Sequence, residues 1–281
     1  MANIKELENT ASQVRRDIVR MINHSASGHP GGSLGCTDLV VALYFEILEH
    51  DAKNFDMDGK NQDLFFLSNG HIVPVWYSVL ARAGYFDIKE LGTLRDLDSR
   101  LQGHPATLEK LPGIRIASGS LGQGLSVAAG AALAKRLNND KKLVFSLHGD
   151  GELQEGQIWE AAMFAAHHKL DNLISIVDYN HKQIDGTTEQ VMDLGKLKAK
   201  WEAFGWLVME MDGNNMAEVV ETLNAAKEKT GNKQPIMILM KTEMGMGVDF
   251  MMGTHKWHGA APNNEQLQQA LGQLEETLGD Y

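Results

Sequence analysis

Apolar residues Ile4, Leu7, Ala11, Val14, Ile18 and Ile22 recur at spacings of three and four, which predicts an amphipathic helix over 4–22. Gly28-His29-Pro30-Gly31-Gly32 breaks that pattern, and 38–48 reads as a second, largely buried helix. A short apolar run at 63–67 predicts a strand, followed by Ser68-Asn69-Gly70-His71 and a helix over 75–83 closed by Gly84. Residues 87–118 are polar and irregular, with a second Gly-His-Pro at 103–105. The alanine- and glycine-rich stretch 124–137 predicts a small-residue helix that another backbone can approach closely. From there the pattern alternates, with strands expected at 143–147, 173–177, 207–211 and 235–240. Helices are expected at 157–168, 194–204 and 216–227, and a final one at 264–278. The methionine-rich segment 244–252 reads equally as a mobile loop or as irregular surface.

Short, nearly continuous apolar strands alternating with helices predict an α/β fold: a doubly wound, mainly parallel sheet covered by helices on both faces. In such a sheet ligands sit beyond the carboxyl ends of the strands. No repeat, low-complexity tract or interdomain linker interrupts the chain, so 1–281 is expected to be a single domain.

Composition narrows the function more than the fold. Among 281 residues, 43% are hydrophobic and 22% charged, as in an ordinary globular protein. A net charge of −11 disfavours non-specific binding to nucleic acid or an anionic membrane, although a pocket in an acidic protein can still be locally positive. With Cys36 as the sole cysteine, neither an intrachain disulfide nor a cysteine-based zinc cluster can form. The N-terminus lacks the apolar core of a signal peptide, and no apolar run approaches the roughly 20 residues needed to span a bilayer, so a cytoplasmic location is expected. The 28 glycines and 11 histidines are informative because they gather at strand ends and in loops.

The strongest local signal is His148-Gly149-Asp150-Gly151-Glu152, directly after the strand LVFSL. Glycines flanking an aspartate at a strand end let the backbone approach a phosphate while the carboxylate reaches a hard cation. Taken alone, the same residues describe a common Asp-Gly turn. Thirty positions on, however, the next strand, LISIVDYN, ends at Asn180. Successive parallel strands joined by one helix lie close together, so Asp150 and Asn180 are expected at the same sheet edge. A carboxylate, an amide oxygen and a backbone carbonyl from the following turn, with two diphosphate oxygens and a water, make an oxygen octahedron that suits Mg²⁺ or Ca²⁺. A cation held this way replaces a lysine-lined phosphate loop, and GxxxxGK[ST] is absent.

An aspartate between glycines, followed about thirty residues later by an asparagine after an apolar strand, resembles the thiamine diphosphate motif of thiamine-dependent enzymes. Seven ordered segments narrow the resemblance to the transketolase family. They are SGHPGG at 27–32, SNGH at 68–71, GHP at 103–105, SGSLGQGLS at 118–126, GDGELQEGQIWEA at 149–161, DYNHKQIDG at 178–186 and KTEMGMG…HKWHG at 241–259. The resemblance implies a metal held by Asp150, Asn180 and the Lys182 carbonyl, with Mg²⁺ the first choice and Ca²⁺ or Mn²⁺ as alternatives. It implies thiamine diphosphate contacts from His71, Gly151, Lys241 and the backbone of Gly119, Ser120 and Leu121. His258 would bridge the diphosphate and the substrate pocket, while His29 and His104 would face sugar hydroxyls and assist proton transfer. Glu155 matches a glutamate that meets a partner across an interface; otherwise it is a carboxylate favourable at a helix start. His167 and His168 match no motif and read as helix residues, and His255 has no assigned role.

The resemblance further implies transfer of a two-carbon ketol unit from a ketose phosphate to an aldose phosphate. In that family the glutamate that activates the cofactor belongs to a second domain, downstream of where this chain stops at Tyr281. A separate subunit or a shortened version of a longer chain would each explain this. The Met1 start and the complete last helix favour the former, so an α₂β₂ assembly with a C-terminal transketolase subunit is expected. Two rivals are the α-subunit of a 2-oxo acid dehydrogenase and a non-catalytic homologue. The histidine set and the retained metal ligands argue against both.

Overall fold

The computed structural model describes residues 3–281. Helix α1, Ile4–Ser25, begins at Asn3, whose side chain accepts the Glu6 N–H, and stops at Ala26 in the left-handed region. Its apolar stripe, Leu7, Ala11, Val14, Ile18 and Ile22, is buried as the spacing required. Another side of the same helix is also covered. Arg16 donates to Asp280 and to the Leu274 carbonyl, and Arg82 pairs with the fully buried Asp17.

The expected break at 28–32 is instead a short helix, α2, Pro30–Gly35, with Pro30 at its first turn, where a missing N–H costs nothing. It leads into α3, Thr37–Ala42, which ends in a π-helical turn over Leu43–Ile47. Strand β1, Leu64–Leu67, and α4, Val73–Arg82, follow. The irregular region holds short 3₁₀ turns at Ile88–Thr93 and Thr107–Glu109, and then comes α5, Gly124–Leu137, with the predicted bounds. The alternating region gives β2, Val144–Gly149, α6, Gly156–His167, and β3, Leu173–Tyr179. A small hairpin, β4 (Lys182–Gln183) and β5 (Gly186–Thr187), and a short helix, α7 (Thr188–Met192), come next, beyond the elements the periodicity predicts. The chain closes with α8 (Leu197–Ala203), β6 (Leu207–Asp212), α9 (Met216–Glu228), β7 (Ile236–Lys241) and α10 (Asn264–Gln273). The final helix is shorter than predicted because residues after Gln273 leave the helix to lie on α1, where Gln13 accepts the Thr277 and Leu278 N–H groups.

The five main strands form one parallel sheet in the order β1-β2-β3-β7-β6. The crossover from β2 to β3 advances along the sheet, whereas the one from β6 to β7 returns. With right-handed crossovers, α6 and α9 therefore lie on opposite faces, which is the doubly wound arrangement. On one side α5 packs on β2 and α6, and Trp159 of α6 meets Trp201 of α8 with ring centroids 5.1 Å apart. On the other, α9 packs on β6 and α3, and α3 on α1 and α4. The direction of travel reverses between β3 and β7, and the crevice beyond their carboxyl ends is the expected place for a ligand.

The methionine-rich segment is not plain surface: Met244, Val248 and Met251 are buried, while Asp249 and Met252 are exposed. It is stitched to α2 by two bonds, Gly31 N–H to the Trp257 carbonyl at 3.0 Å and Gly245 N–H to the Gly31 carbonyl at 2.9 Å. A Cβ on Gly31 would lie 2.5 Å from Met244 Cγ and 2.9 Å from the Trp257 oxygen, so the close approach requires glycine. Gly31→Ala should therefore destabilise the chain by about 1–3 kcal/mol, read as a lower urea midpoint at unchanged slope.

Candidate active site at the carboxyl edge of the sheet

Register places the ends of four strands side by side: Leu67 opposite Leu147, Gly149 opposite Asp178, and Tyr179 opposite Lys241. Asp150, one residue beyond β2, is 1% exposed. Its N–H donates to the Asp178 carbonyl at 3.2 Å, and its carboxylate accepts from the Gly151 N–H at 2.7 Å and the His181 N–H at 2.6 Å. Asn180, one residue beyond β3, accepts the Lys182 N–H at its Oδ1 (2.8 Å) and donates through Nδ2 to Asp178 Oδ2 (2.9 Å). Asp150 and Asn180 thus stand at the same edge and line one cleft; the register pairs Gly149 with Asp178, so Asn180 reaches one residue farther than Asp150.

Burial pushes the Asp150 carboxyl up to about 8, and the neighbouring Asp178 charge adds to the rise; the His181 and Gly151 N–H groups and Lys182 oppose it. A buried oxygen site short of positive charge is the environment a hard divalent cation fits. The described residues contain no cluster of three or more His, Cys, Asp or Glu side chains arranged for a metal. A site with one carboxylate, one amide and a backbone carbonyl falls outside that pattern. Lys182 lies beside the pair, and its ammonium pairs with Glu243 at 3.2 Å.

Above this edge four histidines converge from four separate segments. His29 directly precedes α2, His71 lies in the turn after β1, His104 in the 103–105 loop, and His258 in the segment stitched down by Gly31. Ring centroids are 5.1 Å apart for His29–His71, 5.6 Å for His29–His258, 5.1 Å for His71–His258 and 6.3 Å for His29–His104. Burial is the main cause lowering all four pKa values, and crowding with like groups deepens the shift for His29 and His71. His29 falls to about 4. The imidazoles are therefore neutral near pH 7, each with one donor and one acceptor nitrogen. Nδ1 of His29, Nδ1 of His258 and Oδ1 of Asn69 are buried without a protein partner.

Together these groups line a cleft of about 520 Å³ that also takes in Gly119, Leu121, Gly151 and Glu155. Gly119 has φ +126°, and a Cβ there would lie 2.5 Å from His104 Cδ2, so the 118–122 loop can rest on that ring only with glycine. Glu155 stands exposed at the mouth, directly before α6. Ser120 and Lys241 are exposed and do not line the cleft; the Ser120 hydroxyl accepts from Gln123. His255 is half-buried, and its carbonyl accepts the His258 N–H. A larger cleft of about 920 Å³, between α5 and the 57–64 segment, gathers no comparable set of groups.

Three supporting residues, Glu152, Asp178 and Ser68, carry no expected role in the chain alone. Glu152, 2% exposed, accepts from the Ser68 hydroxyl, from the Gly122 N–H (2.8 Å) and from the Gly149 N–H (3.1 Å). It thereby ties the 118–122 loop, the end of β1 and the turn after β2 into one unit. Asp178 and Ser68 have similar roles. The available signal was a polar residue at the carboxyl end of each apolar strand, where a side chain meets other strand ends and not solvent.

A family profile described as the thiamine diphosphate-binding domain of transketolase matches residues 7–277. The chain is similar to one of the subunits of the apulose-4-phosphate transketolase of Actinobacillus succinogenes, 39% identical over 272 residues and covering 96% of both chains. It is equally similar to the 6-deoxy-6-sulfo-D-fructose transketolase subunit SqwG of a Clostridium species, 39% identical over 270 residues with 96% of both covered. Among solved structures, transketolase from Campylobacter jejuni superposes with a TM-score of 0.88 at 33% identity over 97% of this chain. The chain spans 43% of that longer protein.

His29 is expected to titrate near pH 4 in imidazole NMR, against 6.5 for an unperturbed histidine. The unfolded chain then binds more protons than the folded one between those values. This contribution to stability is full above pH 6.5 and lost as the pH falls towards 4, so His29→Gln should flatten the acid limb of a urea-midpoint profile.

Proposed function

The chain belongs to the transketolase family, and from that premise we propose that it is the cofactor-diphosphate subunit of a two-subunit transketolase. With a separate C-terminal subunit, in an α₂β₂ assembly, it transfers a two-carbon ketol unit from a ketose phosphate to an aldose phosphate. The observation that carries this reading is the buried Asp150–Asn180 oxygen pair beneath four converging neutral histidines. The near full-length likeness to relatives named as transketolase subunits supports the two-subunit form. The whole chain, on this reading, is one domain devoted to the diphosphate side of the cofactor.

Asp150 Oδ and Asn180 Oδ1, with the Lys182 carbonyl, would hold Mg²⁺, for which Ca²⁺ or Mn²⁺ can substitute in an all-oxygen set. The backbone of Gly119, Leu121 and Gly151 and the imidazole of His71 would line the diphosphate; Ser120 and Lys241 would act from the rim. Thiamine diphosphate, when bound, supplies a nucleophilic carbon that also serves as an electron sink for breaking and making the bond beside a carbonyl.

The chain's own residues position the sugar. His29 and His104 offer neutral ring nitrogens to its hydroxyls, accepting a proton from one oxygen and returning it to another. His258 spans the diphosphate and sugar ends. Glu155, which is exposed at the mouth, would meet the partner subunit. Among the described residues no helix is long and apolar enough to cross a membrane; we place the enzyme in the cytoplasm, acting on phosphorylated sugars and not on nucleic acid or lipid.

Titration calorimetry of the assembled subunits should show thiamine diphosphate binding that requires Mg²⁺. Asp150→Ala should weaken it at least ~100-fold, since a lost ligand costs no less than a lost supporting residue. His104→Ala should leave binding intact and lower kcat/KM for ketol transfer by ~10²–10⁴. Full turnover by this chain alone would refute the two-subunit reading.

A further inference from the structure

Asn180 presents a carboxamide, whose two ends differ in kind: an oxygen attracts a cation and an NH₂ repels it. Which end faces the site is decided by hydrogen bonds, not by shape. Here Nδ2 donates to Asp178 Oδ2 at 2.9 Å, and Oδ1 accepts the Lys182 N–H at 2.8 Å. Turning the amide over would set oxygen against a carboxylate oxygen at one end and NH₂ against N–H at the other. Asp178 is itself held. Its Oδ1 accepts from the Thr242 hydroxyl, the Cys36 thiol lies beside it, and its side chain is 2% exposed. These contacts come from three elements: the α2–α3 junction, β3 and the end of β7. Asp178 therefore cannot swing away without breaking bonds in the sheet core.

We propose that Asp178 is a positioning residue that locks the Asn180 carboxamide with its oxygen towards the cation site, anchored by Thr242 and Cys36. This rests on the reading of Asp150 and Asn180 as metal ligands. It extends that reading to a residue that touches neither cation nor substrate. Supporting residues of this kind commonly govern affinity about as much as a weaker ligand does.

The test is Mn²⁺ binding to the assembled two-subunit enzyme at saturating thiamine diphosphate, followed by the EPR signal of free Mn²⁺, which requires no turnover. Asp178→Ala should weaken Mn²⁺ binding ~10–100-fold. Asp178→Asn, whose Oδ1 can still accept from Asn180 Nδ2, should stay within ~3-fold of the parent, about the limit for near-additive sites. The discriminating arm uses an Asn180→Asp background. A carboxylate has two equal oxygens and needs no orientation, and Asp178→Ala there removes a facing carboxylate, so Mn²⁺ binding should not weaken by more than ~3-fold. Should Asp178→Ala fail to assemble, Thr242→Val carries the test, with weaker Mn²⁺ binding in the parent and none of that loss in the Asn180→Asp background.

Parent-like affinity in Asp178→Ala, or an equal loss in both backgrounds, would overturn the proposal and leave Asp178 a general packing residue. If the unaltered enzyme fails to bind Mn²⁺ with thiamine diphosphate, the metal-site reading itself falls and the positioning role with it.

Discussion

The arrangement depends on one join, between the ends of β2 and β3. The Asp150 N–H donates to the Asp178 carbonyl, and the Asp150 carboxylate accepts from the His181 N–H in the next loop. Two carboxylates are thereby buried at the carboxyl edge of a parallel sheet, where desolvation opposes ionisation of both and the Asp178 charge further opposes that of Asp150. A protein tolerates such a pair when a positive charge is supplied on use. On the proposed reading, the feature that costs stability in the free chain would give the edge its affinity for a hard cation and, through it, for a diphosphate.

Around this acidic edge the protein builds a largely uncharged upper wall. Four imidazoles are brought together by elements far apart in the chain, and burial keeps them neutral. Their convergence depends on backbone contact as much as on side chains. The two bonds through Gly31 bring the 243–258 segment over α2 and so set His258 beside His29. Glu152 draws the 118–122 loop onto the turn after β2, and Gly119 lets that loop lie on His104. The cleft is thus preorganised by buried polar bonds that are satisfied within the protein, while Nδ1 of His29 and of His258 lack protein partners.

The family relationship accounts for the division of labour. The chain corresponds in length to relatives named as single transketolase subunits, and to 43% of the Campylobacter jejuni protein. Asp150, Asn180 and the four histidines share one cleft of this chain, and on the proposed reading a second subunit completes it.

Strand and helix identities were legible in the chain because they rest on local periodicity. The α/β class, the bounds of α5 and the position of Asp150 and Asn180 at one sheet edge all follow from short-range pattern and from the rule that successive parallel strands lie together. The seven motifs likewise pointed to the histidines. What the linear pattern left open was everything set by contact between distant segments. Pro30–Gly35 reads locally as a break yet is helical because α1 and the 243–258 segment cover it. The methionine-rich stretch looks like a loose loop but buries Met244, Val248 and Met251. The end of α10 is decided by the Gln13 side chain more than 260 residues away. Ser68, Glu152 and Asp178 acquire their roles only when four strand ends share one edge. A side chain's hydrogen-bond partners are fixed by tertiary register, which sequence spacing alone does not encode.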